Sequence, residues 1–100
     1  MDPAIPDIII SDVVVSTAGR DQGQLFYVIG TDEMFLFLVN GKDRTLDKPK
    51  RKKRRHVQKV LRSETRFAVK LKNGGKVLNG ELRRDLAFLA GEMQANNLGG

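Results

Sequence analysis

Short apolar runs, rich in β-branched and aromatic residues, mark the first 40 residues of the chain and predict β-strands. The runs are residues 8–10, 13–15, 25–29 and 34–39. Turn-forming residues separate them, and the Asn-Gly pair that follows the fourth run is a strong hairpin signal. Several short strands joined by tight turns predict a small barrel or sandwich.

The strand pattern continues less clearly beyond the Asn-Gly pair. A short return strand is expected around residues 44–47, with Pro49 at a strand end because proline cannot donate to a ladder. A last strand is expected within residues 55–60. Few of the runs alternate cleanly, which is typical of a small sheet that buries both faces. We therefore predict one small β-domain, a barrel or a sandwich, over residues 8–60.

From residue 63 onward the apolar spacing becomes helical. Ser63 is the predicted N-cap of a first helix, which Asn73 and the glycines after it end. Asn79 is the predicted N-cap of a second helix. Its apolar stripe comprises Leu82, Leu86, Leu89 and Met93, while Arg83, Arg84 and Asp85 are expected to face elsewhere. The pattern predicts a helical extension over residues 63–95.

Positive charge is concentrated in one segment. Residues 48–62 hold nine Lys and Arg and no acid, whereas the remaining residues hold nine Lys and Arg against twelve Asp and Glu, a net charge of −3. Residues 50–55 are six consecutive cations. The like charges of such a run repel one another. A bound polyanion relieves this repulsion, and counterions are released from its phosphates. The alternatives are a solvated surface run without a partner and a nuclear localisation signal.

The first long turn contains a glycine-bounded basic loop. Val13-Val14-Val15-Ser16-Thr17-Ala18-Gly19-Arg20-Asp21-Gln22-Gly23-Gln24 resembles a KOW motif, in which a strand, such a loop and a second strand follow one another. Glycines permit positive φ and close approach to a phosphate, and successive N–H groups of such a turn can form an anion-binding nest. Arg20 adds a planar fork of donors. The KOW pattern usually has a lysine where this chain has Gln22.

The resemblance extends over roughly residues 13–90. Lys48-Pro49-Lys50-Arg51-Lys52-Lys53 and Lys76-Val77-Leu78-Asn79-Gly80-Glu81-Leu82-Arg83-Arg84 are similar to segments of bacterial KOW-domain RNA-binding proteins, which are related to a eukaryotic and archaeal large-subunit ribosomal protein. This implies a mostly β fold: a small SH3-like barrel followed by two short C-terminal α-helices. It also implies RNA binding, with ribosomal RNA the expected partner. The predicted RNA-binding residues are Gly19, Arg20, Gly23, Lys48, Lys50, Arg51, Lys52, Lys53, Arg54 and Arg55.

Other chemistry finds little support in the sequence. The absence of cysteine excludes disulfides and thiol catalysis. His56 is the only histidine and has no acid near it in sequence, so neither a metal site nor a catalytic residue is predicted. No cofactor is expected. The phenylalanines and Tyr27 are expected mainly in the core, with Tyr27 the best candidate for stacking on a base. The chain start lacks the basic region of a signal peptide, which favours a cytoplasmic protein without membrane contact.

Three functional hypotheses remain open at this point. The first is a non-catalytic RNA-binding module, associated with the ribosome or with translation proteins. The second is a protein-interaction module of the translation or transcription machinery, for which an exposed apolar patch would be the sign. The third is an enzyme acting on RNA, which lacks a visible nucleophile, metal cluster or carboxylate pair.

Overall fold

The computed structural model of the protein describes residues 7–99, with side chains as far as Gln94. It contains five strands, β1 (Asp12–Ser16), β2 (Leu25–Thr31), β3 (Phe35–Val39), β4 (Lys50–Lys53) and β5 (Val57–Arg62). A 3-10 helix, Arg54–His56, joins β4 to β5, and helices α1 (Arg66–Lys72) and α2 (Asn79–Gly99) follow. A β-rich region with a helical C-terminal extension is thereby confirmed. The prediction about a signal peptide concerns residues 1–6, which lie outside the described residues.

The strands form one antiparallel sheet in the order β4-β3-β2-β1-β5. The register shifts once between Val13 and Val14, where β1 meets β5, and once between Val28 and Gly30, where β2 meets β3. Such irregularities bend strands and increase their twist. The two edge strands, β4 and β5, are consecutive in sequence and are separated only by the three residues of the 3-10 helix.

Each face of the sheet has its own apolar core. The first core, between the sheet and the helices, contains Val13, Tyr27, Val39, Phe67, Ala68, Leu82, Leu86 and Leu89. The second, on the opposite face, contains Ile8, Val14, Phe26, Val28, Leu36 and Leu38. Three members of the stripe predicted on α2 thus pack on the sheet, and each fully buried leucine contributes about 1.5–3 kcal/mol. Because the first core is shared, the helices and the sheet depend on each other for stability.

A buried polar cluster ties the helices to β2. The Tyr27 hydroxyl is fully buried, donates to Asp85 and lies 2.8 Å from the Ser63 hydroxyl oxygen. Burial and the hydrogen bond to Asp85 raise the pKa of Tyr27 to about 12. Tyr27 is therefore a core residue and presents no surface on which a base could stack. Asp85, which was expected to face away from the core, faces it because it accepts this hydrogen bond and one from Thr65 at 3.0 Å.

The predicted helix start is wrong by two residues. Thr65, not Ser63, is the N-cap of α1, and its hydroxyl accepts from the Ala68 N–H at 3.1 Å. The Ser63 hydroxyl contacts Tyr27 instead. Helix α2 is longer than predicted, since it runs to Gly99 and no proline interrupts it. No helix among residues 7–99 is long and apolar enough to cross a lipid bilayer.

Two predicted strands are absent from the described residues. Residues 8–10 form coil and a turn, although Ile8 is buried in the second core. Residues 44–47 form a loop because the Asn40 side chain accepts a hydrogen bond from the Arg44 N–H at 3.0 Å. Side chains of α2 also bind this loop. There, Asn79 accepts from the Leu46 N–H at 2.9 Å and Arg83 donates to the Gly41 carbonyl at 2.6 Å. The strand that returns along β3 is β4, inside the basic segment.

Candidate nucleic-acid interface

Strand β4 consists entirely of cations, Lys50, Arg51, Lys52 and Lys53. It forms because its backbone pairs with β3 at the edge of the sheet, in register from Phe35 opposite Lys53 to Leu38 opposite Lys50. Charged side chains on an edge strand also oppose pairing with other chains. The basic segment is therefore part of the sheet and not an appendage to it.

Alternation along β4 sorts its cations onto two faces, because residues directly opposite each other in an antiparallel pair share a face. Lys50 and Lys52 lie opposite Leu38 and Leu36, on the side of the second core; we call this pair the inner lysines. Arg51 and Lys53 lie opposite Phe37 and Phe35, on the other side; we call this pair the outer cations. Lys52 is 7% exposed, whereas Arg51 is exposed to solvent.

The inner lysines converge on Asp21, in the turn between β1 and β2. Lys50 Nζ lies 2.6 Å from Asp21 Oδ2, and Lys52 Nζ lies 2.9 Å from Asp21 Oδ1. Lys52 also donates to the Ala18 carbonyl at 2.8 Å, and Ser16 donates to Asp21 at 2.7 Å. This arrangement, which we call the Asp21 clamp, fastens the turn to β4.

The clamp keeps Asp21 ionised. Burial alone would raise the pKa of Asp21, but the hydrogen bonds from Lys50, Lys52 and Ser16 outweigh it and hold that pKa well below its ordinary range. The sequence predicts no role for Asp21 beyond its position in the turn. No local signal in the sequence identifies it, because Lys50 and Lys52 belong to an unbroken run of cations and reach Asp21 only through the pairing of β4 with β3.

A second buried carboxylate engages two more cations of the basic segment. Asp12 is fully buried; Arg62 Nε lies 2.9 Å from its Oδ1 and Lys59 Nζ lies 3.3 Å from its Oδ2. Burial again opposes ionisation, and the hydrogen bonds from Arg62, the Ile9 N–H and Lys59 lower the pKa of Asp12 overall. Four of the nine cations in residues 48–62 are thus paired with acids.

The glycine-bounded turn has the backbone that its sequence predicts. Gly19 and Gly23 have φ of 86° and 91°, in the left-handed region that favours glycine. Three of its N–H groups are already engaged, because Gln22, Gly23 and Gln24 donate to carbonyls within the hairpin. Arg20 is exposed at the tip. The side chain of Arg20 is therefore a charged donor that this turn offers to a ligand.

Five cations of the basic segment have no carboxylate partner among the described residues: Lys48, Arg51, Lys53, Arg54 and Arg55. Lys48, Arg51 and Arg55 are exposed and Lys53 is half-buried. Arg54 is partly engaged, since its Nε donates to the Asp32 carbonyl at 2.9 Å. Arg51 lies over the Phe35 ring, with its guanidinium carbon 4.2 Å from the ring centroid.

A cleft of about 260 Å³ opens beside the Asp21 clamp. Arg20 and Lys50 line it from one side, and Arg44 lines it from the turn that follows β3. Asp21 and Asp43 also line it, so its charge is mixed. Arg44 thus lies near Arg20 and Lys50, two of the predicted RNA-binding residues, and the sequence alone does not reveal this proximity.

His56 occupies a structural position, since its carbonyl accepts the Thr17 N–H at 2.9 Å and thereby connects the 3-10 helix to the end of β1. Within residues 7–99, no group of three or more His, Cys, Asp and Glu side chains is placed to hold a metal ion.

Comparison of the sequence with models of known protein families finds no match, and comparison with curated proteins finds no significant similarity. The resemblance to KOW-domain proteins therefore stays a prediction.

Proposed function

We propose that this protein binds structured RNA without catalysis, that ribosomal RNA is its partner, and that it acts in the cytoplasm. The observation that carries the proposal is that some cations of the basic segment are paired with acids and others are not. Lys48, Arg51, Lys53 and Arg55 lie on or beside one edge strand without a carboxylate partner in the described part of the chain. Cations at such positions are free to contact phosphates and to release their counterions.

Rigidity of the surface supports RNA of defined shape as the ligand. The Asp21 clamp joins the turn that carries Arg20 to the strand that carries Arg51 and Lys53. Fixed positions select a matching set of phosphates, since contacts with backbone oxygens carry no base information. Folded RNA presents such a set, and a ribosomal context agrees with the resemblance in residues 13–90.

An SH3-like barrel is part of the proposal. In a flat five-stranded sheet, the edge strands would lie about 19 Å apart, at about 4.8 Å for each neighbouring pair. The link from Lys53 to Val57 spans at most about 14 Å when fully extended, and less as a 3-10 helix. Because the link is shorter than the separation in a flat sheet, the sheet has to curl so that its edge strands approach each other. This curling supports a barrel, as do the two register shifts and the core on each face.

A protein-interaction module is the second candidate. It is favoured by apolar side chains exposed on and beside the helices, among them Phe88 at 57% and Val69 at 48%. The two candidates do not exclude each other, since the exposed cations named above lie in the sheet region and these side chains lie on the helices.

Fluorescence anisotropy with a structured ribosomal RNA fragment, measured across a salt series, tests the proposal. The variant replaces Arg20, Lys48, Lys53 and Arg55 with glutamine. The wild type should bind at low salt, with log K falling by about 0.7–0.9 per phosphate contact for each unit of log salt. The variant should bind more weakly and with a slope flatter by several such contacts. Absence of wild-type binding at low salt would refute RNA binding, and an unchanged slope would refute the assigned surface.

A further inference from the structure

The outer face of β3 and β4 carries two phenylalanines that serve neither core. Phe35 and Phe37 are half-buried, and in the described part of the chain they belong to neither apolar cluster. By alternation they share a face with Val39, which lies in the first core. That face therefore continues past the region covered by the helices, and it carries aromatic side chains there.

A glycine and an arginine lie against the two phenylalanine rings. Phe37 lies against Gly30 of β2, where a Cβ atom would come 3.3 Å from the ring. Arg51, opposite Phe37, places its guanidinium carbon 4.2 Å from the Phe35 ring centroid. The contact holds the planar guanidinium against the ring while the side chain remains exposed. Lys53 lies opposite Phe35 on the same face.

We infer that this surface stacks an unpaired RNA base on the guanidinium of Arg51, with Phe35 as the support beneath it. Unpaired bases are recognised by stacking on aromatic rings or on arginine planes. Lys53 is placed beside the stack to contact the phosphate of the same or the next nucleotide. The inference rests on the proposed RNA binding and specifies the ligand further, as structured RNA with an unpaired nucleotide next to a helix.

Arg51→Lys tests the inference, because lysine keeps the charge and loses the plane. Arg66→Lys, at an exposed arginine of α1 outside the proposed surface, is the matched control. Two RNA fragments are compared: a hairpin with a 2-aminopurine in an unpaired position, and a fully paired duplex of the same length. Stacking changes the fluorescence of 2-aminopurine, while the salt slope reports phosphate contacts.

For Arg51→Lys, the expected result is a loss of roughly fivefold or more in affinity for the hairpin, with an unchanged salt slope. The 2-aminopurine signal seen with wild type should be lost, binding of the duplex should stay the same, and Arg66→Lys should behave like wild type. Phe35→Leu should act in the same direction as Arg51→Lys, with circular dichroism showing that the variant is folded.

The possible failures are distinguishable. If wild type binds both RNAs and Arg51→Lys binds the hairpin equally well with its 2-aminopurine signal intact, stacking on Arg51 is refuted and RNA binding stands. If wild type binds neither RNA at low salt, the proposed function itself is refuted.

Discussion

The two sides of strand β4 use the same kind of residue for different purposes. On one side, Lys50 and Lys52 are directed at Asp21, and Lys52 is almost completely buried. On the other side, Arg51 and Lys53 have no acid partner in the described part of the chain, and Arg51 is exposed. A run of six cations is therefore not six equivalent ligands for a polyanion.

The difference follows from elementary electrostatics. A buried lysine is tolerated when a carboxylate and further acceptors replace its water, as Asp21 and the Ala18 carbonyl do for Lys52. An exposed cation needs no partner and stays available to one. The inner lysines thus contribute to folding, while the outer cations stay available for the proposed RNA binding.

Removal of the clamp carboxylate should have the largest effect. Asp21→Asn leaves Lys52 charged and buried without a counter-ion, and loss of one partner of a buried pair costs about 3–5 kcal/mol. Urea denaturation should show this loss of stability, and Glu33→Gln, an exposed acid in the β2–β3 turn, should change the midpoint little. A change as small as that of Glu33→Gln would mean that the clamp does not stabilise the fold.

The clamp should also make stability depend on acid. Because the folded pKa of Asp21 lies below its ordinary value of 3.8, its contribution is present above about pH 4 and is lost as pH falls further. The pKa of Asp12 is also lowered in the folded protein, so Asp12 makes stability fall with acid in the same way. The free energy of unfolding should therefore fall below about pH 4, and the fall should be shallower in Asp21→Asn. Equal pH dependence in the two proteins would contradict the ion pairing described here.

Loss of a single exposed charge should have the smallest effect. Arg55 is exposed, so Arg55→Gln should leave stability within about 0.5 kcal/mol of wild type. In RNA binding it should flatten the salt slope by about 0.7–0.9, the share of one phosphate contact. A destabilised variant with an unchanged slope would show that Arg55 supports the fold and does not contact RNA.

Much of the sheet could be predicted from the sequence because its strands carry apolar runs. Strands β1, β2 and β3 fall close to residues 13–15, 25–29 and 34–39, and the turn glycines have the positive φ that was expected. Strand β4 escaped prediction because it has no apolar residue, and its alternation becomes visible only through its pairing with Leu36 and Leu38.

The site was only partly predictable for the same reason. The sequence shows that residues 50–55 are basic, but it does not show that a carboxylate about thirty residues earlier neutralises two of them. Partners of buried charges are set by tertiary contacts, and local patterns do not record those. The predictions for Ser63 and Asp85 were wrong for the same reason, since both side chains form hydrogen bonds with the buried Tyr27 hydroxyl on β2.

The most direct test of the central claim removes two charges from each side of the same strand. One variant carries Arg51→Gln and Lys53→Gln, the other Lys50→Gln and Lys52→Gln, and both are compared with wild type for RNA binding across a salt series. We expect the outer pair to flatten the slope by at least about 0.7–0.9, the share of the Lys53 phosphate contact, with little change in the urea midpoint. The inner pair should lower the midpoint and leave the slope of the folded protein unchanged. Equal flattening of the slope by both variants would contradict the account, because all four cations would then contact RNA alike.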